Sequence, residues 1–140
     1  MAQASPVVLL SFTNGSKIDE TNFAQKAEQF VSKAGKDGKR TLAFEKLTTT
    51  KLRSIYSLIL NTQAKIDDPD DFDNHIKDIQ YLKIRMAYEA GREDAVRTFL
   101  KETHLMTAID RVKTYEQFML FCLYAESLVA YFKYYGGKDK

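Results

Sequence analysis

Cysteine, proline and glycine are scarce in this chain of 140 residues, and tryptophan is absent. The single cysteine, Cys122, cannot form an internal disulfide, which excludes a disulfide-stabilised secreted scaffold. Two prolines and six glycines provide few turn signals, so the composition disfavours a turn-rich β-fold. With 44% apolar residues, the chain can instead bury a single helical core.

The sequence also lacks the motifs of common enzyme classes. It contains no Gly-rich nucleotide loop, no P-loop and no Gly-x-Ser-x-Gly elbow. Neither His75 nor His104 has a histidine or cysteine three or four residues away that would form a helical metal pair. We therefore predict no catalytic residue, no metal site and no cofactor.

No apolar run has the character of a targeting or membrane segment. The run from Val7 to Phe12 is short, and polar residues follow it directly. The longest apolar stretch, Tyr115 to Tyr135, includes Glu116, Glu126 and Lys133, whose charges are costly inside a bilayer. We expect no export signal, no membrane contact and a cytoplasmic location.

The stretch from Tyr115 to Tyr135 is the strongest structural signal in the chain. It contains no proline or glycine, and Gly136 and Gly137 follow it, as expected beyond a helix end. Apolar residues cover nearly every side of this predicted helix, so other helices must surround it. It is predicted to be a long, nearly fully buried C-terminal helix at the centre of the fold.

The rest of the chain shows helical periodicity interrupted by short breaks. The predicted fold class is all-α, a single domain over residues 1–140 built as a bundle of about five helices. Besides the last helix, the predicted segments are Asp19–Ala34 (N-cap Asp19 or Thr21), Thr49–Lys65, 67–90 (ended by Gly91) and Arg92–Thr103, with a short turn over Leu105–Val112. Residues 1–17 are predicted to be a flexible or extended arm, and residues 136–140 a flexible tail.

Charge is distributed unevenly along the sequence. Residues 33–53 carry seven basic and two acidic side chains, a net of +5, whereas residues 66–80 carry six aspartates and one lysine, a net of −5. Two interpretations remain open: both segments are solvated loops, or one binds a polyanion while the other packs against a charged subunit.

The basic segment has the composition of a phosphate-binding surface. Thr48, Thr49 and Thr50 precede the second predicted helix and supply hydroxyls at its N-terminus, where N–H groups and the helix dipole favour anions. Lysines and arginines surround this helix end. Such a surface holds a nucleic-acid backbone without reading its sequence.

The acidic segment does not match a calcium-binding loop that begins at Asp67. Pro69 falls at the third position, Phe72 falls where glycine is required, and Asp78 falls where a bidentate glutamate belongs. The register fails, and the helix dipole accounts for carboxylates at a helix start. A metal-dependent nuclease using these aspartates is retained only as an alternative.

A stripe of tyrosines and arginines runs along the third predicted helix. Tyr81, Arg85, Tyr88 and Arg92 recur at steps of four, three and four, and the opposite face carries Ile79, Leu82, Met86 and Ala90. Arginine pairs with phosphates, and tyrosine stacks on bases or is buried at protein interfaces. The stripe is either a contact surface for protein or RNA or an ordinary solvated face.

Four blocks, in order along the chain, carry a family resemblance: Leu47–Arg53, Tyr81–Glu93, Ile109–Val112 and Glu126–Tyr135. Together they closely resemble the small subunit of type III-A CRISPR–Cas effector complexes, the Csm complexes. The resemblance implies a non-enzymatic helical protein, present in several copies along a duplex of guide RNA and target RNA. Its implied partners are copies of itself, the backbone subunits that cut target RNA and the large subunit that makes signalling nucleotides.

The resemblance and the residue chemistry together select candidate RNA-binding residues. Lys51 and Arg53 are the first choices for contact with the RNA backbone. The others are Lys46, Arg85, Arg92 and Arg111. The competing hypothesis is a protein-only helical adaptor that uses the Tyr81/Arg85/Tyr88/Arg92 stripe and has no role with RNA.

Overall fold

A computed structural model describes residues 8–12 and 15–139 of the chain. These residues form a mostly helical fold with two short hairpins, which confirms the predicted fold class. The helices are α1 Phe23–Val31, α2 Thr49–Lys65, α3 Ile76–Arg92, α4 Asp94–Glu102, α5 Leu105–Arg111 and α6 Tyr115–Tyr134. The described residues thus contain six α-helices where about five were predicted, because the expected turn near Leu105 is the short helix α5.

Two antiparallel hairpins precede the main helices. Strand β1, Leu9–Ser11, pairs with β2, Lys17–Asp19, and β3, Ser32–Ala34, pairs with β4, Arg40–Leu42. Leu10, Phe12 and Ile18 of the first hairpin are buried in the core. Of the predicted N-terminal arm, residues 1–7, 13 and 14 lie outside the described residues.

The first helix is shorter than predicted at both ends. It begins at Phe23, and its N-cap is Asn22, so the prediction of Asp19 or Thr21 as the cap is wrong. The Asp19 carboxylate instead accepts hydrogen bonds from the N–H and hydroxyl of Thr21. Residues 32–34 leave the helix because they pair with residues 40–42, and Gly38, with a φ of 80°, allows the tight turn between them.

The second helix matches its predicted bounds, and the third does not. Thr48 caps α2, since its hydroxyl accepts the Lys51 N–H at 3.2 Å. The acidic segment forms a 3-10 helix, Pro69–His75, which leads directly into α3. Helix α3 continues through Gly91 to Arg92, so the prediction that Gly91 ends this helix is wrong.

Helix α6 packs against α1, α2, α5 and β1 and supplies much of the core. Thr114 and Gln117 form a capping box at its start. Phe118, Phe121, Tyr124 and Phe132 are fully buried, but Leu123 and Tyr134 are 44% and 75% exposed. The expectation that this helix is nearly fully buried is therefore not confirmed, because one side faces solvent.

The residues that follow α6 contact the N-terminus of α2. The Thr49 N–H donates to the Lys138 carbonyl at 2.7 Å, and the Thr50 hydroxyl donates to the Asp139 carbonyl at 3.0 Å. Gly137 is buried against Phe132. The described part of the predicted tail thus lies across the start of the helix that was expected to bind phosphate.

Candidate nucleic-acid interface

Lys51 lies at the first turn of α2 and is tied to the corner between α3 and α4. Its Nζ lies 2.7 Å from Oε2 of Glu93, and the hydrogen bond from Lys51 lowers the pKa of the Glu93 carboxyl. Both side chains are partly exposed, at 42% for Lys51 and 36% for Glu93, so solvent weakens their attraction. A phosphate could therefore compete with Glu93 for this ammonium group.

Lys46 lies in the loop before α2, at the edge of a cleft of about 340 Å³. The cleft has an apolar floor that includes Phe44 and Leu47, and Lys33 and Asp94 also line it. Asp94 directly follows Glu93, the partner of Lys51. Lys46 and Lys51 therefore lie on the same side of the fold, next to the start of α4.

Arg53 is exposed on a different side of α2 from Lys51. Residues two apart on a helix point about 200° apart around its axis, so the two first-choice residues cannot share one narrow surface. Arg111 is exposed at the end of α5. No ion pair joins Arg53 or Arg111 to another residue in the described part of the chain.

The stripe on α3 has the predicted arrangement of faces. Ile79, Leu82 and Met86 are buried, and Tyr81 and Tyr88 are 53% and 62% exposed on the opposite side. The guanidinium of Arg85 lies 5.6 Å from the ring centroid of Tyr81. That of Arg92 lies 5.6 Å from the centroid of Tyr88. These cation–π contacts hold the guanidinium groups in place while leaving them accessible.

Two ion pairs show how α2 and α3 lie relative to each other. Lys65 at the end of α2 pairs with Asp78 near the start of α3 at 3.7 Å, and Lys51 at the start of α2 pairs with Glu93 just beyond α3. The helices are therefore antiparallel neighbours. Arg85 and Arg92 lie on the same side of α3 as Asp78, since they follow it by seven and fourteen residues, about two and four helical turns.

The structure thus divides the six candidates. Four of them lie on the surface that α2 and α3 form together, or at the end of that surface beside the start of α4. We call this set, Lys46, Lys51, Arg85 and Arg92, the α2–α3 basic surface. Arg53 and Arg111 lie elsewhere. Sequence reasoning did not include Lys138, whose carbonyl accepts the Thr49 N–H at the start of α2, or Lys133, whose Nζ contacts the neighbouring Gly137 and Asp139.

The acidic segment contains a histidine held between two carboxylates. Nδ1 of His75 lies 2.8 Å from Oδ2 of Asp78, and Nε2 lies 3.0 Å from Oδ2 of Asp71. The hydrogen bond to Asp78, with that to Asp71, raises the pKa of His75, and the pKa values of both carboxyls are lowered. Within the described ranges, no group of three or more His, Cys, Asp or Glu side chains could hold a metal ion.

Cys122 is buried on α6, and burial raises the pKa of its thiol to about 12. A thiol that stays protonated near neutral pH is a poor nucleophile.

None of the helices in the described part of the chain has the length and apolar character of a membrane span. The fold and these surfaces define a small helical protein with a cationic surface and an exposed aromatic stripe.

Comparison with known proteins identifies the family. The model of the Csm2 type III-A family matches residues 24–138, and the chain therefore belongs to that family. The match also includes all but the first residue of α1 and the whole β3–β4 hairpin, which precede the four blocks seen in the sequence.

Curated relatives agree with the family match. A "CRISPR system Cms protein Csm2" from Streptococcus thermophilus is 37% identical over 122 residues, covering 87% of this chain and 98% of the relative. One from Enterococcus italicus is 37% identical over 139 residues, covering 93% and 99%. One from Mycobacterium tuberculosis is 40% identical over 106 residues, covering 73% and 85%.

Proposed function

We propose that this chain is a non-catalytic small subunit of a type III-A CRISPR RNA-guided complex, acting in the cytoplasm in antiviral defence. It is present in several copies and binds the duplex of guide RNA and target RNA through its backbone. It packs against copies of itself, the backbone ribonuclease subunit and the large signalling subunit. Family membership supports the complex, and the α2–α3 basic surface supports the contact with RNA.

The chemistry of this surface suits phosphate contact without sequence readout. Arg85 lies against the Tyr81 ring, and Arg92 lies against the Tyr88 ring and pairs with Glu89 at 3.4 Å, so less side-chain freedom is lost when they pair with phosphate oxygens. Lys51 and Lys46 add charges beside them. Binding of this kind releases counterions, so its affinity falls steeply with salt and varies little between RNA sequences.

The experiment that tests this proposal is a gentle purification of the tagged protein from its own cell. We expect short RNAs that share a 5′ tag, together with other Csm subunits. The purified chain should then retain guide–target duplexes of unrelated sequence with similar affinity, and alanine substitution in the α2–α3 basic surface should reduce the salt slope. Recovery of the protein alone, free of RNA, would contradict the proposal.

Contact between copies is a separate part of the proposal. The exposed aspartates of the −5 segment include Asp67, Asp68, Asp70 and Asp73, and the +5 segment includes the exposed β3–β4 hairpin. Opposite charges at two ends suit head-to-tail stacking. Reversing the charges of the four aspartates should weaken assembly and reduce its salt dependence. Assembly that stayed unchanged would contradict head-to-tail stacking through these charges.

The second candidate function is a protein-only adaptor that uses the Tyr81/Arg85/Tyr88/Arg92 stripe. The specific observation behind it is Ile84, which is 62% exposed between the two stacked pairs. An exposed aliphatic side chain among aromatics is typical of a protein interface core. An adaptor would keep its partners after ribonuclease treatment and show no salt-dependent retention of RNA.

A further inference from the structure

Residues 136–139, which follow Tyr135 at the C-cap of α6, form a segment that we call the C-terminal strap. Its Lys138 and Asp139 carbonyls accept the Thr49 N–H at 2.7 Å and the Thr50 hydroxyl at 3.0 Å. Phosphate oxygens bind donors of this kind at a helix N-terminus. The strap therefore occupies the groups that an RNA phosphate would need at the start of α2.

Lys133 and Phe132 of α6 hold the strap in place. Nζ of Lys133 donates to the Gly137 carbonyl at 3.2 Å and lies 3.3 Å from Oδ1 of Asp139. The Gly137 N–H donates to the Phe132 carbonyl, and its Cα packs so closely on the Phe132 ring that a Cβ would collide with it. The Lys133 and Asp139 side chains are 53% and 74% exposed, so their contact is weak. The strap can thus open without disrupting either helix.

Thr49 supplies a second observation at the same place. Its hydroxyl is buried and has no hydrogen-bond partner among the described residues, although its N–H is bound by the strap. A buried hydroxyl without a partner is destabilising. An anion oxygen that entered when the strap opened would supply the missing acceptor.

From these contacts we propose that the C-terminal strap gates phosphate binding at the N-terminus of α2. When the strap is closed, its carbonyls accept the hydrogen bonds that phosphate oxygens would otherwise accept. When the strap is open, the Thr49 N–H and the hydroxyls of Thr49 and Thr50 donate to the RNA backbone. This inference rests on the proposed contact with RNA. Closure lowers the apparent affinity in proportion to the fraction of molecules whose strap is open.

Gly137→Ala tests the gate without changing any charge. The added Cβ should displace the strap from Phe132, freeing the donors of α2. Because the strap makes two hydrogen bonds there, we expect the affinity for a guide–target RNA duplex to rise roughly five- to thirtyfold. Gly91→Ala is the matched control, since a Cβ at Gly91 meets no atom of the described residues within 4 Å.

Lys133→Ala provides an independent test, because the loss of a positive charge alone would change the affinity for RNA in the direction opposite to the one that the gate predicts. Loss of a cation ordinarily weakens RNA binding, but loss of Lys133 should strengthen it because the strap loses both side-chain contacts. Lys101→Ala, at another exposed lysine on α4, should weaken binding slightly or leave it unchanged. Circular dichroism should show both Lys133→Ala and Gly137→Ala folded.

Hydrogen exchange separates failure of the gate from failure of the proposed function. RNA should increase deuterium uptake across residues 136–139 while protecting the start of α2. If wild type binds RNA but neither variant binds more tightly and the strap stays protected, the gate is wrong and the RNA role stands. If neither wild type nor any variant binds RNA at low salt, the proposed RNA role is wrong, and the proposed gate, which depends on that role, is wrong as well.

Discussion

The Tyr124 hydroxyl donates a 2.6 Å hydrogen bond to the carbonyl of Thr103, joining the middle of α6 to the residue that follows α4. Both residues are fully buried. A buried carbonyl that loses its donor pays the cost of desolvation in full, so this bond matters more for stability than an exposed one.

Tyr124→Phe should therefore destabilise the fold by about 1–3 kcal/mol, because it keeps the ring but removes the donor to Thr103. Chemical denaturation monitored by circular dichroism would measure the loss. Tyr134→Phe is the control, since Tyr134 is 75% exposed, and it should change the free energy of unfolding very little. Equal stability of the two variants would contradict the importance of the buried bond.

Thr49→Val should leave stability unchanged or raise it by about 1 kcal/mol. The substitution replaces a buried hydroxyl that has no partner among the described residues with a methyl group of similar size. Thr103→Val is the contrasting variant, because the Thr103 hydroxyl donates to the Phe99 carbonyl at 2.7 Å and its loss should cost about 1 kcal/mol. Thermal unfolding of the two variants would compare them, and similar losses would contradict this difference.

The sequence predicted α2 most accurately because its signals are local. The Thr48 cap and the apolar spacing of Leu52, Ile55 and Ile59 act within a few residues. The sequence predicts a helix over residues 32–34, but they form a strand, because that strand exists only through pairing with residues 40–42. Local propensity gives no indication of strand partners six to ten residues away, which pair only after the chain has reversed its direction.

The candidate site was predictable in chemistry but not in arrangement. Tyr81, Arg85, Tyr88 and Arg92 share a face because helical spacing alone determines it. The separation of Arg53 from Lys51 also follows from that spacing, once α2 is assigned. The ion pair of Lys51 with Glu93 and the strap over Thr49 depend on tertiary packing, for which the sequence carries no local signal.

His75 should stabilise the protein most at acidic pH. The bonds to Asp78 and Asp71 raise its pKa, so its contribution is fully present below the ordinary histidine pKa of about 6.5 and is lost as pH rises through the higher folded value. His75→Gln should therefore lose more stability relative to wild type at pH 5.5 than at pH 8. A difference that stays constant across this range would contradict the coupling of His75 to the two carboxylates.

His104 should have the opposite pH dependence. Its ring stacks on Phe12 with centroids 4.7 Å apart and meets Phe30 edge-on, and burial lowers its pKa. Stability should thus fall as pH drops below about 6.5, because the unfolded chain takes up a proton before the folded one. His104→Asn, which tolerates the left-handed backbone with a φ of 63°, should reduce this acid sensitivity. Urea titrations at several pH values would show whether it does.

Glu93→Gln should strengthen binding to RNA by releasing Lys51. In the proposed contact with RNA, the carboxylate of Glu93 competes with phosphate for the Lys51 ammonium group, 2.7 Å away, so removing its charge should raise affinity about two- to fivefold at low salt. The gain should disappear in the double variant with Lys51→Ala, because Glu93 acts through that lysine. Asp94→Asn removes a neighbouring charge of the same sign, on a side chain 96% exposed that pairs with Arg97. If Asp94→Asn gave the same gain, or if Glu93→Gln kept its gain without Lys51, general charge rather than this ion pair would explain the effect.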